Sequence, residues 1–240
     1  MIRAVTFDFW NTLMDDFHLP ARHEQRTTHL RELVAPYGYS LEPAAVDLAF
    51  DEVWRRFDRV WYKKRRTPST AESTDVLLRA LRLRLPPPAV AQVVTLLEEA
   101  ALAQPPRLVT GVADTLPVIA ERYALAVVCD AALTPGRVLR QVLAMHGIDG
   151  YFGAFFFSDE HPCSKPDPRA FLTPLAELGV EPAEAVHVGD IQRTDIAGAQ
   201  RAGLRAVHFV GVNSSDLAAS TADAVAHRFD ELPDVIASLG

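Results

Sequence analysis

The sequence predicts an α/β protein: a Rossmann-like parallel sheet interrupted after its first strand by an all-helical insertion. Three observations carry that class. Five short, nearly all-apolar runs lie at 4–9, 124–129, 154–157, 185–188 and 206–210. Unbroken apolar character, rather than alternation, is what strands covered on both faces require. Helical stretches at 135–146, 168–178 and 194–202 follow the second, third and fourth runs. Strand and helix alternating in this way imply right-handed crossovers and parallel pairing. Third, the segment from about 15 to 105 carries no strand pattern.

Within that segment, Val46, Phe50, Val53, Phe57 and Val60 step by four and three and mark one helical face. Lys63, Lys64, Arg65 and Arg66 close this helix, where cations suit the negative end of its dipole. Ser69 followed by Glu72 reads as a capping box for a helix beginning near 70. Prolines 86–88 separate it from a helix at 89–103, which Pro105 and Pro106 end. The chain therefore divides into a core, 1–14 plus 107–240, and a helical insertion, 15–106.

The 240 residues are 49% hydrophobic and 23% charged, as in an ordinary globular protein. The net charge of −7 repels a polyanion, so no nucleic acid is expected as a partner. No apolar run approaches the roughly 20 residues that span a bilayer. Residues 1–10 lack a signal peptide's apolar region and cleavage site. A cytoplasmic protein, monomer or homodimer, is expected. Its two cysteines, Cys129 and Cys163, make no disulfide framework. The eight histidines form no zinc-binding group; His187 and His208, inside apolar runs, read as core residues.

The chemistry gathers at strand ends. Asp8 sits among apolar neighbours in FDFWNTL, where an ionised carboxylate is costly unless paired. VHVGDIQRTD places Asp190 after the fourth run and Asp195 five residues later. Ligands of doubly wound sheets bind beyond the carboxyl ends of strands, so Asp8, Asp190 and Asp195 converge at one edge. Three clustered carboxylates repel one another unless a hard cation lies between them, and an all-oxygen ligand set selects Mg²⁺.

In these residues the chain resembles the haloacid dehalogenase-like hydrolases with an α-helical cap. FDFWNTL at 7–13 matches the nucleophile motif, VVCD at 127–130 the second motif, SKPDP at 164–168 the lysine motif and GDIQRTD at 189–195 the acidic motif. The resemblance implies strand order 3-2-1-4-5 and a phosphatase acting on a small phosphorylated compound. Asp8 is then the covalent nucleophile. Mg²⁺ is held by Asp8, the Trp10 backbone carbonyl, Asp190 and Asp195, and Lys165 neutralises developing charge. Trp10, Asn11, Cys129 and Asp130 surround the substrate. Cys129 stands where the family has a Ser or Thr donating to phosphate, and a thiol is a weak donor.

Trp10 is the main departure. Family phosphatases carry a second Asp there, which protonates the leaving alcohol and then activates water. Without a positioned acid–base, turnover of alkyl monoesters is expected to fall on the order of 10²–10⁴-fold. An aromatic at this position also resembles the 2-haloacid dehalogenases, which attack carbon without a metal. A dehalogenase and a catalytically weak phosphate-binding protein are therefore the alternatives. Arg22, Arg26 and Arg31 read first as surface residues of the cap; each is also a candidate anion-binding side chain.

Overall fold

The computed structural model describes residues 1–16 and 18–240. In chain order, β1 (Ala4–Phe7) and β2 (Met14–Asp15) precede four helices, α1 (Leu19–Val34), α2 (Pro43–Lys64), α3 (Thr70–Ala80) and α4 (Pro87–Ala103). Then come β3 (Arg107–Leu108), α5 (Val112–Ala120), β4 (Ala124–Cys129), α6 (Gly136–Met145), β5 (Phe152–Phe157) and α7 (Arg169–Leu178). The chain closes with β6 (Ala185–Gly189), α8 (Ala197–Ala202), β7 (Arg205–Phe209), β8 (Ala224–Ala226) and α9 (Leu232–Ser238).

The five apolar runs form one sheet in the expected order, and β8 adds a sixth strand at its edge: β5-β4-β1-β6-β7-β8. Every pairing in it is parallel. Sequence reading missed β8 because three residues in a polar stretch give no pattern. It also missed α5 and α9. Side chains alternate between two cores. Val5, Phe7, Val127 and Val188 pack with α5, α6 and α9 on one face. Ala4, Val128, Phe156 and Ala185 pack with α7 and α8 on the other. Covering both faces explains why the runs are continuously apolar, each large side chain contributing roughly 1.5–3 kcal/mol.

The helices between 19 and 103 build a third core from Leu30, Val34, Phe50, Val53, Leu77, Val93 and Leu97. Ser69 and Glu72 form the expected capping box: Ser69 Oγ accepts from the Glu72 amide at 3.1 Å and Glu72 Oε2 from the Ser69 amide at 2.9 Å. Arg65, left-handed at φ 50°, ends α2 after its two lysines. The last two members of the expected apolar stripe lie outside this core: Phe57 faces a cavity, and Val60 is buried beyond the cluster. The chain enters and leaves this helical segment through the antiparallel pair β2–β3, with Met14 opposite Leu108 and Asp15 opposite Arg107. Among the described residues no helix is long and apolar enough to cross a membrane.

Candidate active site

The sheet register assembles the floor of the site. Phe7 pairs with Val188, so Asp8, directly after β1, emerges beside the end of β6; its amide donates to the Val188 carbonyl at 2.9 Å. Asn11 adopts φ 58°, a left-handed conformation that asparagine tolerates better than most residues, and so turns the chain back. Its Nδ2 donates to Asp190 Oδ2 at 3.3 Å, and Asn213 Nδ2 donates to the same oxygen at 2.8 Å.

A π-helical turn, Gln192–Ile196, folds Asp195 back over the end of β6. Such turns concentrate at functional sites. Gly189 makes room for it, since a Cβ there would lie 2.5 Å from the Asp195 side chain. Lys165 then bridges two acids, its Nζ donating to Asp8 Oδ1 at 2.5 Å and to Asp195 Oδ1 at 2.6 Å. Asp195 Oδ1 also meets His187 Nε2 at 3.3 Å, and Oδ2 accepts from the Ile191 amide at 2.9 Å.

Both histidines of the apolar runs serve this floor. A carboxylate only accepts, so His187 Nε2 carries the proton toward Asp195 and Nδ1 faces the Thr6 hydroxyl at 2.8 Å. Burial lowers the pKa of His187 and keeps the ring neutral. His208 Nε2 donates to the Asp190 backbone carbonyl at 2.9 Å and so fixes that loop. The signal for both was a polar residue inside a run with no other. Asn213, distant from every motif, gave no signal.

Charge is concentrated here. Burial, opposed by Lys165 and reinforced by Asp195 and Asp190, pushes the Asp8 carboxyl well above its usual range. Burial and Asp195 raise Asp190 to about 6 despite its two amide donors. Burial alone would raise Asp195 too, but Lys165 and His187 hold it below the usual carboxylate range. Burial would lower Lys165, yet Asp195, Asp8 and Asp130 keep it protonated. Carboxylate oxygens of Asp8, Asp190 and Asp195 lie within 4.8 Å of one another. An oxygen-only cluster whose members resist ionising together is what a hard divalent cation relieves, so the residues fit Mg²⁺.

Asp8, Trp10, Asn11, Asp130, Lys165, Asp190 and Asp195 line one cavity of about 170 Å³. Cys129 is not among its lining residues. It lies fully buried in the core below, where burial raises its thiol pKa. Its neighbour Asp130 reaches the cavity instead. Asp130 Oδ1 accepts from the Lys165 amide at 2.9 Å, and Oδ2 from Trp61 Nε1 of α2 at 2.7 Å. Burial, only partly offset by Lys165 and Trp61, raises Asp130 to about 6. Phe57 and Trp61 form the roof. The Arg193 guanidinium lies 4.4 Å from the Trp61 ring centre and 4.1 Å from that of Tyr62. These roof contacts were not read from the sequence, because nothing in α2 says which turn meets the strand ends.

The four motifs thus meet at one sheet edge. The chain belongs to the haloacid dehalogenase-like hydrolase family, whose profile matches residues 2–203. Glyceraldehyde 3-phosphate phosphatase of Methanopyrus kandleri is 30% identical over 206 residues, covering 85% of this chain and 82% of that protein. Ribulose-1,5-bisphosphate 5-phosphatase of Halopiger xanaduensis is 30% identical over 236 residues, covering 95% and 93%. Among solved structures, 2-haloacid dehalogenase from Pseudomonas syringae pv. Tomato DC3000 shares the fold over 100% of both chains, with TM-score 0.75 and 27% identity.

Proposed function

We propose that the protein is a Mg²⁺-dependent phosphatase of small phosphorylated metabolites, working through an aspartyl-phosphate on Asp8. The observation that carries this reading is the ion-paired floor: Asp8 bound to Lys165 at 2.5 Å, with Asp190 and Asp195 beside it in one cavity. The phosphatase names of the two relatives support it.

On this reading an Asp8 oxygen attacks phosphorus in line, and the bond from phosphorus to the leaving oxygen breaks with its electron pair. Lys165 offsets charge on Asp8 and on the transferring group, held in place by Asp195. Water then attacks phosphorus, the bond to Asp8 breaks, and inorganic phosphate leaves. Asp8, Asp190 and the Trp10 backbone carbonyl would hold Mg²⁺, with Asp195 at its side. The ion would supply charge neutralisation where two anions approach. Trp10 offers no proton to the leaving oxygen, so aryl and acyl phosphates are better substrates than alkyl monoesters.

The test is nitrophenol release from p-nitrophenyl phosphate. It is expected to require Mg²⁺ and to fall by on the order of 10⁴-fold or more in Asp8→Asn. Turnover unaffected by that substitution ends the reading. A second reading, attack of Asp8 on carbon in a 2-haloacid, draws on Trp10 and on the dehalogenase structural neighbour. Halide release that persists in chelator, with no phosphate release, would establish it instead.

A further inference from the structure

A ring of contacts closes the cavity at Asp8, leaving the core and returning to it. Asp195 accepts from Lys165 Nζ at 2.6 Å, the Lys165 amide donates to Asp130 at 2.9 Å, and Asp130 accepts from Trp61 of α2 at 2.7 Å. The remaining side is the Trp61 ring against Arg193, which stands two residues before Asp195 on the π-helical turn. Ile191, Thr194 and Asp195 of this stretch line the cavity; Arg193 does not, and reaches the roof helix instead.

Arg193 is held by rings rather than by charge. Its guanidinium lies against Trp61 and Tyr62 together, whose ring centres are 5.1 Å apart. Among the described residues it forms no ion pair, and its buried Nη2 has no hydrogen-bond partner. An arginine placed to serve the acidic turn would meet carboxylates or carbonyls. A planar cation withdrawn from water and stacked on aromatic faces is a strong attachment, and arginine is the cation whose shape suits it. What it attaches is the roof. Trp61 stacks along α2 on Phe57, 6.0 Å away, and both line the cavity. With Trp10 and Ala132 they make the lining beside the acids apolar and largely aromatic.

We infer that Arg193 is a positioning residue that sets specificity: anchored in the core, it holds Phe57 and Trp61 over the organic part of the substrate, so that the protein selects compounds with an apolar or aromatic group next to the phosphoryl group. The inference rests on the phosphatase reading for the phosphoryl group at Asp8. Arg193 acts through Trp61 and does not meet the reacting atoms.

Calorimetry in Mg²⁺ buffer with two ligands that do not turn over separates roof from floor. Inorganic phosphate meets only the floor; phenylphosphonate adds a ring for the roof. Wild type is expected to bind phenylphosphonate about tenfold more tightly than phosphate, from burial of the ring. Arg193→Gln should erase that preference while leaving phosphate affinity within about twofold, and Arg193→Lys, which keeps a cation on the rings, should retain a preference of about threefold. Tyr62 is 57% exposed and does not line the cavity, so Tyr62→Leu tests the same contact from the surface without disturbing the core. It is expected to reduce the preference about threefold. The double variant should lose no more than Arg193→Gln alone, because both substitutions break one contact. Equal affinity of wild type for the two ligands, a preference that survives in Arg193→Gln, an equal loss of phosphate affinity in that variant, or losses that multiply in the double variant would each overturn the inference. The expected pattern in a protein that releases no nitrophenol from p-nitrophenyl phosphate keeps Arg193 as the positioning residue and ends the phosphatase reading.

Discussion

The floor and the roof of the cavity are built by different rules. On the floor, Asp8, Lys165, Asp190 and Asp195 hang from ends of the core sheet or the loops beside them. Lys165 links Asp8 and Asp195 by charge-assisted bonds of 2.5–2.6 Å, His187 backs Asp195, and Asn11 and Asn213 hold Asp190. The roof is a single stretch of α2, where Phe57 and Trp61 face the site through one hydrogen bond, Trp61 to Asp130, and the stacking of Arg193. The floor is fixed before any ligand arrives; the roof is held by contacts worth little individually. On the proposed function, chemistry belongs to the first and access to the second.

The contrast breaks most visibly at Lys165. Lys165→Met is expected to cut turnover by on the order of 10²–10³-fold. It also leaves Asp8 and Asp195 buried without their cation, at a cost of about 3–5 kcal/mol in urea melts without metal. Added Mg²⁺ should recover much of that stability but not the activity. A variant as stable as wild type in chelator would show that the floor is not preorganised by charge.

Trp10→Asp sharpens the comparison from the other side. Placing an acid two residues after Asp8, the proposed nucleophile, is expected to raise alkyl monoester turnover by on the order of 10²-fold, with aryl phosphates changing far less. Unchanged alkyl turnover refutes the account given for Trp10.

Asp130 joins floor to roof and carries a pH signature. Its pKa in the fold, about 6, lies above the ordinary carboxylate value. The protonated form is therefore the one folding favours. Its contribution is fully present below the unfolded pKa, near 4, and is lost as pH rises through 6. Relative to Asp130→Asn, wild type should lose up to about 3 kcal/mol between pH 4 and 7 in denaturant melts. A flat difference across that range would mean that Asp130 is not buried as described. The smallest effect is expected from Trp61→Phe, which removes one N–H donor and keeps the ring. KM should rise about two- to tenfold with kcat little changed. An equal fall in kcat would move Trp61 from the roof to the chemistry.

The same division governs what could be read beforehand. The strands and the motif acids were legible because each is a local pattern: an apolar run, an acid at its end, a glycine before it; the strand order came only with the family resemblance. The capping box at Ser69 and Glu72 was legible for the same reason. Cys129 illustrates the limit. Motif position brought it to the site, but strand alternation turns it into the core and gives the cavity to Asp130. Phe57 shows the converse, a residue on an apolar stripe that serves a cavity because the helix outruns its own core. His187 was visible as an oddity but not as a partner, since its target, Asp195, reaches it only through the π-helical turn.

The pairing of β2 with β3 has a consequence for how such a molecule can change. The two ends of the helical excursion leave the core as hydrogen-bonded neighbours. Whatever joins them need only start and finish at the same doorway. Residues between them can be lengthened, shortened or exchanged without altering the spacing of the strands that carry Asp8 and Asp190. Selection can therefore redraw what the protein admits while leaving untouched what it does to it.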